Sequence, residues 1–207
     1  MEHEGHGEEL SSMTSLAELN ARFGSEWFEP DLFHRDRRAL RFELAVGEGI
    51  VNKHLSAYSR AACVLASAFE GSGDLLAVLW FHHGETPLSA STVKRLSKDC
   101  RSLGLPLAER FSDLDVAGQR LMVTVRLRPE EVMRAVWGAV ARELGVRPRI
   151  AADVHVLSVE RGIVSHIYDD RGMDVSGPNV EVLRGLFTRH RDLLLSHDLA
   201  EMIARYS

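Results

Sequence analysis

The residues of this chain that are best suited to chemistry lie in one short segment, 166–174, with the sequence HIYDDRGMD. Carboxylates are the ligands that hard cations prefer, and an imidazole or a carboxylate can act as a general acid or base. The candidate catalytic residues are His166, Asp169 and Arg171, and the candidate binding residues beside them are Tyr168, Asp170 and Asp174.

The same segment also has a purely structural interpretation. Aspartate favours the first position of a type I turn and glycine the fourth, which fits residues 169–172. Asp169 would then accept backbone N–H groups, and Arg171 would pair with a nearby carboxylate. The turn explains the glycine and one aspartate without a ligand, and the segment lacks the ligand spacing of a recognised metal loop. Both interpretations stay open at this point.

His155 and His166 are a second candidate pair, as ligands of a shared metal ion. Whether they can act together depends on the register of a predicted hairpin. If Arg161 and Gly162 form a two-residue turn, His155 faces Tyr168 and the two histidines are diagonal neighbours on one face. A three-residue turn would move the register by one and separate them. The sequence does not choose between the two.

Stronger catalytic patterns are missing from the sequence. It contains no phosphate-binding glycine-rich loop, dinucleotide fingerprint, nucleophile elbow, His-Glu-x-x-His helix or Cys-x-x-Cys pair. We therefore expect no cofactor and name no metal site, and whether the protein is an enzyme stays open.

Hydrophobic periodicity predicts the elements that position these residues. Five strands are predicted, at 38–46, 75–81, 120–128, 153–159 and 163–168. Helices are predicted from about 15 to 27 and at 50–69, 91–103, 129–144, 179–195 and 198–206. In the second helix the predicted buried stripe is Val51, Leu55, Tyr58, Ala62, Leu65, Ala66 and Phe69.

The clean alternation of strands 38–46 and 120–128 argues against a sheet covered by helices on both faces. We predict an α+β two-layer sandwich, with a mixed or mainly antiparallel sheet of about five strands and helices packed mainly on one face. The other face should be partly open and carry Arg41, Glu43, Thr124 and Arg126. Of these, Arg41 and Glu43 are further candidate binding residues.

Composition limits the class of protein. The 207 residues, 45% of them hydrophobic, suit one domain, predicted at 14–207 behind a disordered acidic tail at 1–13. The net charge of −5 makes nucleic acid an unlikely partner in sequence terms, and no apolar run reaches the roughly 20 residues of a bilayer span. Two cysteines do not make a disulfide framework, so we expect a reducing, cytoplasmic location without membrane contact.

Several stretches resemble a bacterial family, the domain of unknown function 3885. They are RFELAVG at 41–47, the apolar strand at 75–81, RPRIAADVHVLSVE at 147–160 and, most specifically, HIYDDRGMDV at 166–175. The similarity covers roughly residues 37–206. The resemblance implies the extent of the domain and no particular activity.

Two functions of different classes follow as expectations. The first is a non-enzymatic protein-binding module, resembling an immunity protein or a regulator, because the chain is compact, acidic and lacks a recognisable catalytic set. The alternative is a small metal-dependent hydrolase or transferase that uses the 166–174 segment, with Asp169 and Asp174 as ligands and His166 as acid or base.

Overall fold

The structure, a computed structural model, describes residues 16–24, 27–28, 31–82, 90–105 and 120–206. The predicted tail at 1–13 lies outside these ranges. The α+β class is confirmed within them: seven α-helices accompany one six-stranded sheet.

The strands are β1 (Leu40–Glu43), β2 (Leu75–His82), β3 (Arg120–Leu127), β4 (Asp153–Ser158), β5 (Ile163–Ile167) and β6 (Gly172–Ser176). Their order across the sheet is β1-β6-β5-β4-β2-β3, and every described pairing is antiparallel. The sheet therefore has six strands instead of about five. The strand that the sequence did not predict is β6, since its residues GMDVS have weak strand propensity.

The helices are α1 (Leu16–Phe23), α2 (Leu32–Arg35), α3 (Ile50–Ala68), α4 (Ala90–Ser102), α5 (Val132–Leu144), α6 (Val180–Arg189) and α7 (Leu199–Tyr206). Short 3₁₀ turns at Pro129–Glu131, Arg191–Leu193 and Ser196–Asp198 adjoin them. The predicted stop of α5 is confirmed, because Gly145 takes the left-handed conformation (φ 70°) that ends a helix.

The larger core lies between the sheet and the helical layer. Helix α5 packs on β2, β4 and β5, and α3 packs on α5 and α6. The approach of α5 is close at Gly138, where a Cβ atom would stand 2.6 Å from Ile150 Cγ1. Every residue of β2 from Leu75 to Trp80 is buried, as its continuous apolar run predicted.

The other face of the sheet is more covered than expected. A second apolar cluster lies there, formed by Leu19, Phe23, Trp27, Leu32, Leu76, Val78, Trp80, Leu157 and Val164. Arg41 is mostly buried below α2 and Thr124 is buried, whereas Glu43 and Arg126 at the two edge strands stay partly exposed. The prediction of a partly open polar face holds only at its edges, because the N-terminal segment supplies apolar side chains to its centre.

The predicted stripe of α3 is wrong at its start. Val51 and Leu55 are 69% and 55% exposed, and Ala66 is exposed as well, whereas Leu65 and Phe69 are buried as predicted. The other buried residues of the helix are His54, Ala57, Ala61, Val64 and Ala68. Apolar residues recur at helical spacing on two faces of this helix, so the period alone does not identify the buried face. The small alanines are buried because they allow α3 to approach α5, whose own buried face carries Ala135 and Ala139.

Among the described helices, none combines the length and the apolar character that crossing a membrane requires.

Candidate functional site

The sheet register aligns four polar residues in one row on the second face. Arg41 of β1 stands opposite Asp174 of β6, Asp174 opposite His166 of β5, and His166 opposite His155 of β4. We call these four residues the polar row. Strand β6, which was not predicted, is what connects them, because it lies between β1 and β5.

The row begins with a buried ion pair. Arg41 Nε donates to Asp174 Oδ1 at 2.8 Å, and Arg41 Nη2 donates to Asp174 Oδ2 at 3.0 Å. The Asp174 carboxylate is fully buried and also accepts from the backbone N–H of Phe33 at 3.0 Å. Burial disfavours the charged guanidinium, but the bonds to Asp174 outweigh it and raise the pKa of Arg41.

Further contacts connect the pair to the two ends of the chain. Arg41 Nη2 donates to Asp31 at 2.7 Å, and Arg41 Nη1 lies 3.6 Å from Asp198 Oδ2. The Phe33 ring covers the guanidinium, with 4.8 Å between Arg41 Cζ and the ring centroid. Arg41 and Asp174 therefore hold the α2 segment and the turn before α7 against the sheet. The sequence analysis did not predict this role for either residue.

The two histidines of the row are directly opposite and not diagonal. Ser158 pairs with Ile163, so the β4–β5 connection has four residues, which shifts the register by two and leaves both imidazoles on one face. Their rings stack with centroids 4.2 Å apart and planes 7° apart, and Trp27 lies edge-on to His155 at 5.9 Å. Both histidines are buried.

The surroundings of His166 favour its neutral form. Burial lowers its pKa, and the carboxylates of Asp153 and Asp174 only partly oppose that effect. Within the described residues neither ring nitrogen has a hydrogen-bond partner. The candidate acid or base is thus buried against the rings of His155 and Tyr168.

The predicted turn forms a bend at residues 168–171, between β5 and β6. Asp169 Oδ1 accepts the backbone N–H of Arg171 at 2.7 Å, and Asp169 Oδ2 accepts Arg171 Nε at 2.8 Å. Asp169 is buried, but the Arg171 side chain is 80% exposed. At Gly172 the bend meets Tyr168, whose hydroxyl would lie 2.0 Å from a Cβ atom there.

Two candidates point away from the polar row. Glu43 lies 3.7 Å from Arg60 of α3 at the sheet edge. Asp170 is buried beside the start of α3, where burial and then Asp169 raise its pKa while Lys53 counteracts. The structure therefore brings together Arg41, Asp174, His166 and Tyr168, and separates Glu43 and Asp170 from them. Asp169 and Arg171 lie in the bend beside Tyr168.

Sequence reasoning missed an exposed apolar surface beside this bend. It is formed by Val46, Ile50, Val51 and Leu55, and we call it the α3 apolar patch. The backbone connects it to the bend, since Leu44 N donates to Arg171 O at 2.9 Å. The sequence did contain evidence for this surface, because α3 has more apolar positions than one buried face can hold.

Metal ligation has no support within the described ranges, where no three histidine, cysteine or acidic side chains are grouped closely enough to hold an ion. In the bend and the row, the carboxylates of Asp169 and Asp174 are already bonded to arginines.

Comparison with known proteins identifies the family. The family model for the domain of unknown function (DUF3885) matches residues 16–198. The chain belongs to this family. The match begins at α1 and ends in the turn before α7, so the family domain includes both segments that Arg41 and Asp174 hold on the sheet. No curated protein and no solved structure matches the chain significantly.

Proposed function

We propose that this family member is a non-enzymatic, cytoplasmic protein-binding module, of the immunity or regulator kind, whose contact surface is the α3 apolar patch. The observation that carries the proposal is the exposure of Ile50, Val51 and Leu55, at 56%, 69% and 55%. Contiguous apolar side chains in water cost free energy that a partner's surface can recover.

The patch has the rigidity that a binding surface needs. Ser56 Oγ accepts the backbone N–H of Val46 at 2.9 Å and donates to its carbonyl at 3.1 Å, which ties the loop before α3 to the helix. The first two turns of α3 carry the remaining patch residues. A preorganised surface loses little conformational entropy when a partner binds.

Charge at the edge of the patch indicates the chemistry of the partner. The exposed cations Lys53 and Arg171 both favour the charged form of the buried Asp170, so both belong to the region where the bend meets the start of α3. A protein partner that presents an apolar surface flanked by carboxylates would complement them.

The test places a photo-crosslinking residue at Val51 in the native host, identifies the partner and measures its Kd. Leu55→Asp should weaken binding by about thirtyfold, the loss of a central hot-spot residue worth roughly 2 kcal/mol. Ala66→Asp is the matched control, since Ala66 is exposed on the same helix outside the patch. Its Kd should equal that of the wild type.

Two results would overturn the proposal. One is equal affinity of the Leu55→Asp and Ala66→Asp variants for the crosslinked partner. The other is crosslinking of Val51 only to a second copy of the chain, with light scattering showing a dimer that Leu55→Asp dissociates, since the patch would then be a self-association surface.

A further inference from the structure

A second cluster of reactive side chains lies between the last turns of α3 and the end of α6. The Cys63 Sγ is 3.9 Å from Nδ1 of His190, and Nε2 of the same ring is 2.9 Å from Ser67 Oγ. Cys63 is exposed, whereas His190 is only 5% exposed. We call these three residues the thiol cluster. It is separate from the polar row and from the α3 apolar patch.

The hydrogen bonds orient the imidazole toward the thiol. The Cys63 thiol can donate to Nδ1 of His190 only in the tautomer that carries its proton on Nε2. The Nε2–H group then donates a hydrogen bond to Ser67 Oγ. Arg189 Nη1 also donates to Ser67 Oγ, at 3.3 Å, so the hydroxyl is held on two sides. The hydrogen bonds thus connect a nucleophile, Cys63, to a base, His190, and the base to an orienting group, Ser67.

His190 is available as a proton acceptor at neutral pH. Burial lowers the pKa of this histidine, the neighbouring Arg189 lowers it further, and Asp192 opposes them. The ring is consequently neutral, and its Nδ1 lone pair is directed at the thiol.

A small cavity adjoins the cluster and shares Ser67 with it. Its volume is about 110 Å³, and its lining includes Glu70, Arg161, Gly185 and Arg189. Arg161 donates to the carbonyl of Ala68, and Arg189 lies 3.4 Å from Glu70 Oε2. Two arginines against one glutamate leave a net positive lining, which favours an anionic group beside the thiol.

We propose that Cys63 is a site of reversible thiolation by small disulfides that carry carboxylates. Cys63 Sγ attacks one sulfur of the disulfide while its proton passes to His190 Nδ1. A new S–S bond forms to Cys63, the old S–S bond breaks, and its electron pair leaves on the second sulfur, which takes a proton from His190 or water. Cys63 is oxidised, and the released thiol is the reduced product.

Oxidised glutathione is the probe, and intact-protein mass spectrometry follows adduct formation at neutral pH. We expect one adduct, at Cys63. Cys100 is an internal control, because burial raises the pKa of its thiol to about 12 and it should stay unmodified in the folded protein. Cys63→Ser should form no adduct, and reductant should remove the adduct from the wild type.

His190→Asn tests the base. It should slow adduct formation by about tenfold or more, because an unassisted thiol is only a few per cent thiolate at pH 7. Circular dichroism and Tm confirm that the variant is folded, and reaction of its thiols with the probe in denaturant should match the wild type. A folded His190→Asn variant that reacts within twofold of the wild-type rate would overturn the role of the imidazole.

Arg161→Gln tests the preference for anions, with cystamine as the cationic counterpart of the probe, because Arg161 lines the cavity and donates to the Ala68 carbonyl. The rate with oxidised glutathione should fall by about fivefold, the effect of one charge close to the protein surface, and the rate with cystamine should not fall. Equal slowing of both reactions would reject the anionic class of disulfide. Adducts at Cys100 as fast as at Cys63 would reject the site itself.

Discussion

Two arginine–aspartate pairs contribute differently to the structure of this protein. Arg41–Asp174 and Arg171–Asp169 have similar geometry, with Nε to carboxylate distances of 2.8 Å in both. The Arg41 side chain is 13% exposed and the Arg171 side chain is 80% exposed. The first pair joins β1 to β6, and the second closes a bend within three residues.

Burial and chain separation, and not the identity of the pair, decide what an ion pair contributes. A local exposed pair is screened by water and adds little to stability. A buried pair costs desolvation, and its value lies in the arrangement that it enforces, because each partner is unfavourable alone. Arg41 and Asp174 therefore require α2, β1 and β6 to assemble together.

The largest expected effect comes from removing one partner of the buried pair. Arg41→Met keeps an unbranched apolar stem but leaves Asp174 as a buried carboxylate without its cation, so the free energy of unfolding should fall by about 3–5 kcal/mol. Arg171→Met, the matched control, should cost about 1 kcal/mol, because the Arg171 side chain is 80% exposed and the buried Asp169 still accepts the backbone N–H of residue 171. Urea denaturation measures both. Equal losses in the two variants would show that burial and chain separation do not decide what each pair contributes.

An intermediate effect is expected where the bend meets the sheet. In Gly172→Ala the new Cβ would stand 2.0 Å from Tyr168 Oη and 2.8 Å from the Phe42 carbonyl oxygen. Such overpacking should cost about 1–3 kcal/mol in urea denaturation. Adding Tyr168→Phe should recover part of the loss, because it removes the closest atom. No recovery in the double variant would place the strain at the Phe42 backbone alone.

The smallest expected effect is the pH dependence that His166 of the polar row gives to the free energy of unfolding. The pKa of His166 is lowered by burial below its ordinary value of 6.5, so between the two values the unfolded chain binds more protons than the folded one. Stability present above about pH 6.5 is therefore lost as the pH falls, by up to about 1.4 kcal/mol per pH unit for one such group.

His166→Phe isolates this contribution. The variant has no proton to gain at this position, so its free energy of unfolding should fall less between pH 7.5 and 5.5 than that of the wild type. Asp153, Asp174, Arg142 and Arg41 act on His166 and are unchanged. The remaining acid sensitivity belongs partly to His54 and His190, whose pKa values burial also lowers. The same pH dependence in both proteins would contradict the prediction.

Much of the fold was predictable because the evidence for it is local. Three local patterns correspond to observed elements: the apolar run of β2, the proline and glycine that frame α5, and the alternation of β3. Strand β6 was not predictable in the same way. Its aspartate is tolerated at the centre of a sheet because Arg41, which lies 133 residues away, neutralises it.

The candidate site was predictable only in part. Asp169 accepts the Arg171 N–H, as the turn interpretation predicted, and the two histidines share a face. The register of their hairpin depended on a loop length that the sequence left open. Val51 and Leu55 of the α3 apolar patch were assigned to the core, since periodicity shows that a helix has an apolar face and cannot show which of two such faces meets α5.

By itself, the sequence determined the α+β class, the positions of most helices and strands, and the family, because composition, periodicity and motif residues are properties of neighbouring positions. The tertiary structure alone decided that Asp174 meets Arg41, that Val51 and Leu55 stay in water, and that Cys63 meets His190. Each of these outcomes depends on packing between segments far apart in the chain, where burial sets the energy of every charge and apolar group.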